Sequence, residues 1–203
     1  MKATQEKRDR LYRIAESQQG YFTTRQAKES GYTENNFQYY IKSGQWMQAV
    51  RGIYRLTLFP ESGNSQLVLW SLWSRNRNDI PQGVYSHETA LSIYELSDIM
   101  PARLHMTVPG GFRRSAPVPP VLILHKANLA ASDIEKMYGF RVTRPLRAIL
   151  DLIESKSVSS DILLQALKDG LRKGVITQRE ITTYDDPSGN IEMVRQRAKE
   201  ITA

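Results

Sequence analysis

Three histidines, His87, His105 and His125, are the side chains in this sequence best suited to holding a metal ion, because a neutral imidazole offers a lone pair at ordinary pH. They come from a helix start and from two separate strand-like segments, and two of them on neighbouring strands beside a carboxylate would suffice for a metal. No H-x-x-x-H, H-E-x-x-H or H-x-E spacing occurs, however, and the pair His87-Glu88 stands alone. The expectation is therefore surface or satisfied core histidines, with no metal and no cofactor. "VPGGFRR" places glycines and arginines after a strand but has neither G-x-G-x-x-G nor G-x-x-x-x-G-K-[ST], so it reads as a connection. Magnesium-dependent nucleases need an Asp followed at a strand by Glu-x-Lys, and "DIEKMY" has Glu135 and Lys136 adjacent instead. Acyl transfer lacks its G-x-S-x-G turn, and the absence of cysteine removes thiol chemistry and disulfides. The reading is a non-enzyme. A DNA-tethered metal-dependent nuclease, with Asp151 or His125 essential, is the alternative.

A second set of residues has a clearer chemistry. Asn and Gln pair bidentately with adenine, and Asn35, Asn36 and Gln38 fall together at the start of a short helical pattern. Tyr39 and Lys42 follow within reach of a nucleic-acid backbone. Arg51 sits with Gly52 at the tip of an alternating pair of segments, and Arg55 lies on the return segment, positions from which an arginine enters a minor groove or grips phosphate. Arg25 and Lys28 on the preceding helix complete a candidate DNA-binding set, together with Thr33 at the start of the reading helix.

These residues need positioning. "EKRDRLYRIAESQQG" is an amphipathic helix with Leu11, Ile14 and Ala15 on one side, ended by Gly20. In "YFTTRQAKESG", Thr23 and Gln26 have the spacing of a capping box, and Gly31 closes a two-turn helix. Thr33 is placed to cap a third helix whose Phe37, Tyr40 and Ile41 form an inward stripe, leaving Glu34, Asn35, Asn36, Gln38, Tyr39 and Lys42 outward. Trp46, Ala49, Val50, Ile53, Tyr54 and Leu56 flank Arg51-Gly52 as a hairpin. Three short helices and a hairpin in about 60 residues are the order of a winged helix-turn-helix. "LFPESGNS" is the expected boundary, giving a DNA-binding domain at 1–60 and a second domain at 61–203. The latter reads as helices at "QLVLWSLWSRN" and "SHETALSIYELS", strands at "RLHMTVP", "PVLILHK" and "YGFRVTR", then helices from "RPLRAILDLIES" to "NIEMVRQRAKEITA". The fold class is α+β: a winged helix-turn-helix followed by a mixed α/β domain with a small sheet flanked by helices.

Charge supports the same division. Net charge is +7, and residues 1–60 hold ten Lys and Arg against five Asp and Glu while the remainder is nearly balanced, as suits a polyanionic partner for the first third. No apolar run approaches the ~20 residues of a membrane span and no leader precedes a cleavage site, so the chain reads as soluble and cytoplasmic.

The run "GYFTTRQAKESGYTENNFQYYIKSGQWMQAVRGIYRL", followed by "YSHETALSIYELSDIMP", "LHMTVP" and "VTRPLRAILDLI", resembles the AbiEi family of antitoxins from bacterial abortive-infection toxin–antitoxin systems, over about Gln19 to Leu171. The resemblance implies a transcriptional autorepressor that binds inverted repeats in its own promoter. It also implies a C-terminal antitoxin domain that counters a nucleotidyltransferase-like toxin, with or without direct contact, and no catalytic residues. Glu95 stands where that family often has glycine, so packing at that helix end is expected to differ. Arg113, Arg114, Arg144, Arg147, Lys168, Arg172 and Lys173, with Arg195 and Arg197, are the candidate basic surface of the antitoxin domain.

Overall fold

The computed structural model describes residues 2–202, with side chains from 4 to 201. The chain separates into two compact units, residues 1–83 with 136–140, and residues 84–135 with 141–203. Segment 61–83 therefore packs with the N-terminal elements.

In the first unit, helix α1 (Lys2–Glu16) precedes strand β1 (Tyr21–Thr23) and helix α2 (Thr24–Glu29). A 3-10 turn (Glu34–Asn36) runs into helix α3 (Phe37–Lys42), then strands β2 (Trp46–Val50) and β3 (Ile53–Leu56) form the hairpin and helix α4 (Ser65–Trp73) follows. The three strands make an antiparallel sheet in the order β1-β3-β2. β1 is too short to stand out in the sequence, and it is held by pairing Phe22 with Tyr54. Leu11, Ala15, Phe22, Ala27, Tyr32, Phe37, Trp46 and Tyr54 form one buried cluster, with Tyr40 and Ile41 packed against it. Trp46 is its hub, meeting Phe22, Tyr32, Phe37 and Tyr40 at ring-centroid distances of 4.8, 4.9, 5.2 and 4.7 Å. Such pairs contribute roughly 0.5–1.5 kcal/mol each beyond their buried area. Helices this short do not hold alone, so this packing is what fixes α2 and α3. Gly20 is required between α1 and β1: its φ is +85°, and a Cβ there would lie 2.7 Å from Phe59.

The second unit opens with strand β4 (Val84–Tyr85) and helix α5 (His87–Tyr94). Strands β5 (Leu104–Val108), β6 (Leu122–Lys126), β7 (Ile134–Lys136) and β8 (Arg141–Thr143) follow. Four helices complete it: α6 (Pro145–Ser155), α7 (Ser160–Arg172), α8 (Gln178–Thr183) and α9 (Ile191–Thr202). The sheet order is β6-β5-β4-β8-β7, with β5 parallel to β6 and β4 parallel to β8. Parallel pairing of consecutive strands demands a crossover, and the Gly- and Pro-rich segment 109–121 provides it without a helix. Tyr85, Leu91, Met106, Leu146, Ile149 and Leu152 are fully buried at the junction of sheet and helices. Glu95 ends α5 in the left-handed conformation (φ +53°) that ordinarily favours glycine. Lys173 answers it, its Nζ donating to the Tyr94 and Glu95 carbonyls at 3.2 and 2.7 Å, so a cation sits at the negative end of the helix. Among the described residues no helix is long and apolar enough to cross a membrane. The architecture is α+β, a winged-helix unit followed by a mixed α/β unit.

Candidate nucleic-acid interface

Helix α3 is positioned by the capped helix before it and by its own buried face. Thr23 caps α2, its side chain accepting from the Gln26 N–H at 3.2 Å while Gln26 Oε1 accepts from the Thr23 N–H at 2.9 Å. The chain then turns at Gly31 and delivers the 3-10 turn and α3, with Phe37 buried and Tyr40 stacked on Trp46 at 24°. One full face is left to solvent: Glu34, Asn35, Asn36, Gln38, Tyr39 and Lys42 are all exposed, Tyr39 to 66%. Thr33 is exposed as well, but its side chain makes no capping bond. The expected cap is replaced by the 3-10 turn, in which the Asn36 N–H donates to the Thr33 carbonyl at 2.9 Å.

The hairpin tip is pinned. Gly52, at φ +75°, turns its carbonyl to accept from the Thr24 N–H and from Arg75 Nη2, each at 3.1 Å. Arg75 in turn pairs with Asp79 at 2.8 Å, and Asp79 also accepts from the Thr23 hydroxyl. This chain of contacts ties the wing to the start of α2 and leaves Arg51 exposed at the tip. Arg75 and Asp79 are the positioning residues that sequence reasoning missed; only their i, i+4 spacing signalled them. Beside them, Arg25 pairs with Glu29 at 2.9 Å and Lys28 with Glu34 at 3.5 Å, both pairs exposed. The hydrogen bond and charge of Glu29 hold the Arg25 guanidinium above its ordinary range.

Arg55 does not belong to this surface. It is 3% exposed, and its Nη2 donates to the Phe59 and Pro60 carbonyls at 2.8 and 2.9 Å, with Tyr21 beneath the guanidinium at 5.6 Å. The alternation that turned it outward in the sequence fails because both faces of β3 are covered. Burial raises the Tyr21 hydroxyl above its usual range despite the lowering pull of Arg55.

The basic candidates of the second unit divide in the same way. Arg113, Arg144, Lys168 and Arg172 are exposed, Arg172 pairing with Asp169 at 2.8 Å. Arg114 is half-buried rather than exposed. Arg147 is not free surface either: it lies 2.8 Å from Asp151 and 3.7 Å from Asp133. Lys173 is committed to the end of α5, and Arg195 donates to the carbonyls of Ile181, Thr182 and Tyr184, while Arg197 pairs with Glu200 at 2.8 Å. Burial drives the Asp151 carboxyl up to about 6 against the opposing pull of Arg147.

The structure also gathers the three histidines that their spacing kept apart. His87, His105 and His125 each place a potential ligand atom within 4.8 Å of the others, two of the rings buried and the third half-buried. A parallel strand pair brings together residues separated by a crossover, and sequence spacing carries no trace of that.

Similarity to known proteins bears on the fold and on the N-terminal segment. A crystal structure of the RV2827C protein from Mycobacterium tuberculosis is similar with a TM-score of 0.51 and 14% identity, over 78% of this chain and 64% of that one. This chain thus spans less than two thirds of that protein, and at such identity the likeness speaks for the fold alone. No curated protein matches the sequence. Over residues 9–57, the segment that carries the helix pair and the wing, the chain matches the AbiEi antitoxin family of transcriptional regulators.

Proposed function

We propose that the chain is a cytoplasmic, non-catalytic antitoxin that represses its own promoter by binding inverted repeats in duplex DNA, and that it counters a nucleotidyltransferase-like toxin. The observation that carries the reading is the division of α3: Phe37 and its apolar neighbours fill the core while Asn35, Asn36, Gln38, Tyr39 and Lys42 face solvent, beside a wing that exposes Arg51. In this reading α3 lies in the major groove, Asn35, Asn36 and Gln38 read base edges, and Arg25, Lys28, Tyr39, Lys42 and Arg51 hold the backbone. The match of residues 9–57 to antitoxin regulators supports it.

Anisotropy titrations of the purified chain on its own promoter fragment and on random duplex, across a salt series, test the division of labour. Arg51→Ala weakens binding to both duplexes and reduces the salt slope by about 0.9, the loss of one phosphate contact. Asn36→Ala costs roughly 1–3 kcal/mol on the promoter alone. Equal losses on both duplexes for both variants contradict the assignment. For the second unit, growth rescue against the co-expressed toxin is expected to fall on charge reversal at Lys168 and Arg172, which are exposed. Full rescue by a folded double variant removes that face from neutralisation.

A further inference from the structure

His105 lies on β5 and His125 on β6, and the parallel register pairs His105 with Ile123 and His125 with Thr107. The two imidazoles are therefore diagonal neighbours on one face of the sheet. His87, the first residue of α5, stacks on His125 with centroids 3.6 Å apart and planes 13° from parallel, and its centroid is 5.8 Å from that of His105. We propose that His87, His105 and His125 are the ligands of a transition-metal dication of the zinc class, held inside the second unit.

The spacing fits. His105 Nδ1 and His125 Nε2 are 3.2 Å apart, joined by a hydrogen bond that a metal would replace, and that distance is close to the edge of about 3.3 Å that a tetrahedron has when each metal–nitrogen bond is about 2.0–2.1 Å. The other nitrogen of His105, Nε2, is 4.0 Å from the Glu88 carboxylate, near enough for Glu88 to take up the remaining N–H of that ring once a metal holds Nδ1. His87 Nδ1 meets Ser86 Oγ at 2.9 Å, and Thr107 Oγ1 donates to that same oxygen at 2.8 Å. With Nδ1–H donating to Ser86, His87 Nε2 carries the lone pair for the metal. His87 also adopts φ +53°, a backbone conformation that a non-glycine residue takes at a cost and that locates its ring over the strand pair.

The electrostatics are compatible. Burial first, then His125 and His105, lower His87 to about 3, and burial lowers His105 and His125 as well, so the three rings are neutral at ordinary pH and binding needs only a change of tautomer in the His105–His125 pair. Arg147, which bears on His87, is already matched by Asp133 and Asp151. An all-imidazole set selects zinc, nickel or copper over magnesium or calcium. A metal lies in the plane of each ring it binds, so coordination requires the face-to-face stack of His87 on His125 to open.

The full chain, untagged and treated with chelator, gives an unambiguous test, because it contains three histidines and no cysteine. One equivalent of zinc chloride is expected to shift the ring nitrogen resonances of all three histidines together in long-range nitrogen–proton spectra, and cobalt chloride to give a visible band with one-to-one stoichiometry. Glu88→Gln is expected to weaken zinc binding about 10- to 100-fold. His125→Asn is expected to abolish it. Zinc that binds without moving the ring resonances, no binding at all, or one-to-one binding that survives in His125→Asn would overturn the proposal; the spectra of the unaltered chain decide it even if a variant fails to fold.

Discussion

Arg55→Gln separates a folding role from a DNA-binding one. The guanidinium makes two short bonds, at 2.8 and 2.9 Å, to the carbonyls of Phe59 and Pro60, and one at 3.4 Å to that of Gln19. Charge-assisted bonds of this kind contribute about 1.5–3 kcal/mol each, so the two short ones total about 3–6 kcal/mol, with the long one counted as nothing. Gln recovers at most one of them, while the cost of burying a guanidinium disappears, leaving a net loss of about 2–4 kcal/mol. The chain's three tryptophans, Trp46, Trp70 and Trp73, all lie in the first unit, so denaturant unfolding followed by tryptophan fluorescence reads that unit directly. The variant is expected to unfold at lower denaturant, yet below its transition to bind duplex DNA with an unchanged salt slope. Unaltered stability together with a slope reduced by about 0.9 would show a phosphate contact and refute the reasoning.

Gly20→Ala forces a Cβ into left-handed backbone and to 2.7 Å from Phe59, and thermal unfolding should show a loss of about 2–4 kcal/mol. An unchanged melting temperature would mean that Phe59 moves aside freely. Asp151 has a folded pKa raised to about 6 against 3.8 for the free side chain, so its contribution to stability is complete below about pH 4 and is lost as pH rises through 6. The loss is on the order of 3 kcal/mol. Asp151→Asn should therefore gain stability relative to the parent as pH goes from 4 to 8; a pH-independent difference in denaturation midpoints would contradict the burial argument.

Much of the N-terminal unit was legible because its signals are local. The Thr23 and Gln26 capping box, the Phe37, Tyr40 and Ile41 stripe and the Arg51-Gly52 tip each lie within a few residues, and the structure has all three. Arg55 was misread because what covers it, the carbonyls of Phe59 and Pro60, belongs to the very segment whose Pro and Gly content reads as a linker. Thr33 was misread because cap geometry depends on whether the first turn is α or 3-10. In the second unit the longer helices and the strands β5, β6 and β8 declare themselves by period. β4 and β7, of two and three residues, do not. The histidine cluster was hidden for a different reason: spacing rules detect ligands on one helix or one loop, whereas β5 and β6 meet only through a non-local parallel register. Glu95 shows the converse, a residue that local rules disfavour, retained with a lysine from a distant helix on its carbonyl.

Trp46 begins the wing strand, yet its indole is wedged among the rings of α3, with Phe37 at 5.2 Å and Tyr40 at 4.7 Å. Wing and α3 therefore share a keystone, like two jaws hinged on one pin. If the two engage a duplex as proposed, a shift of one carries the other with it, and the deformability of the base steps becomes part of what is being measured.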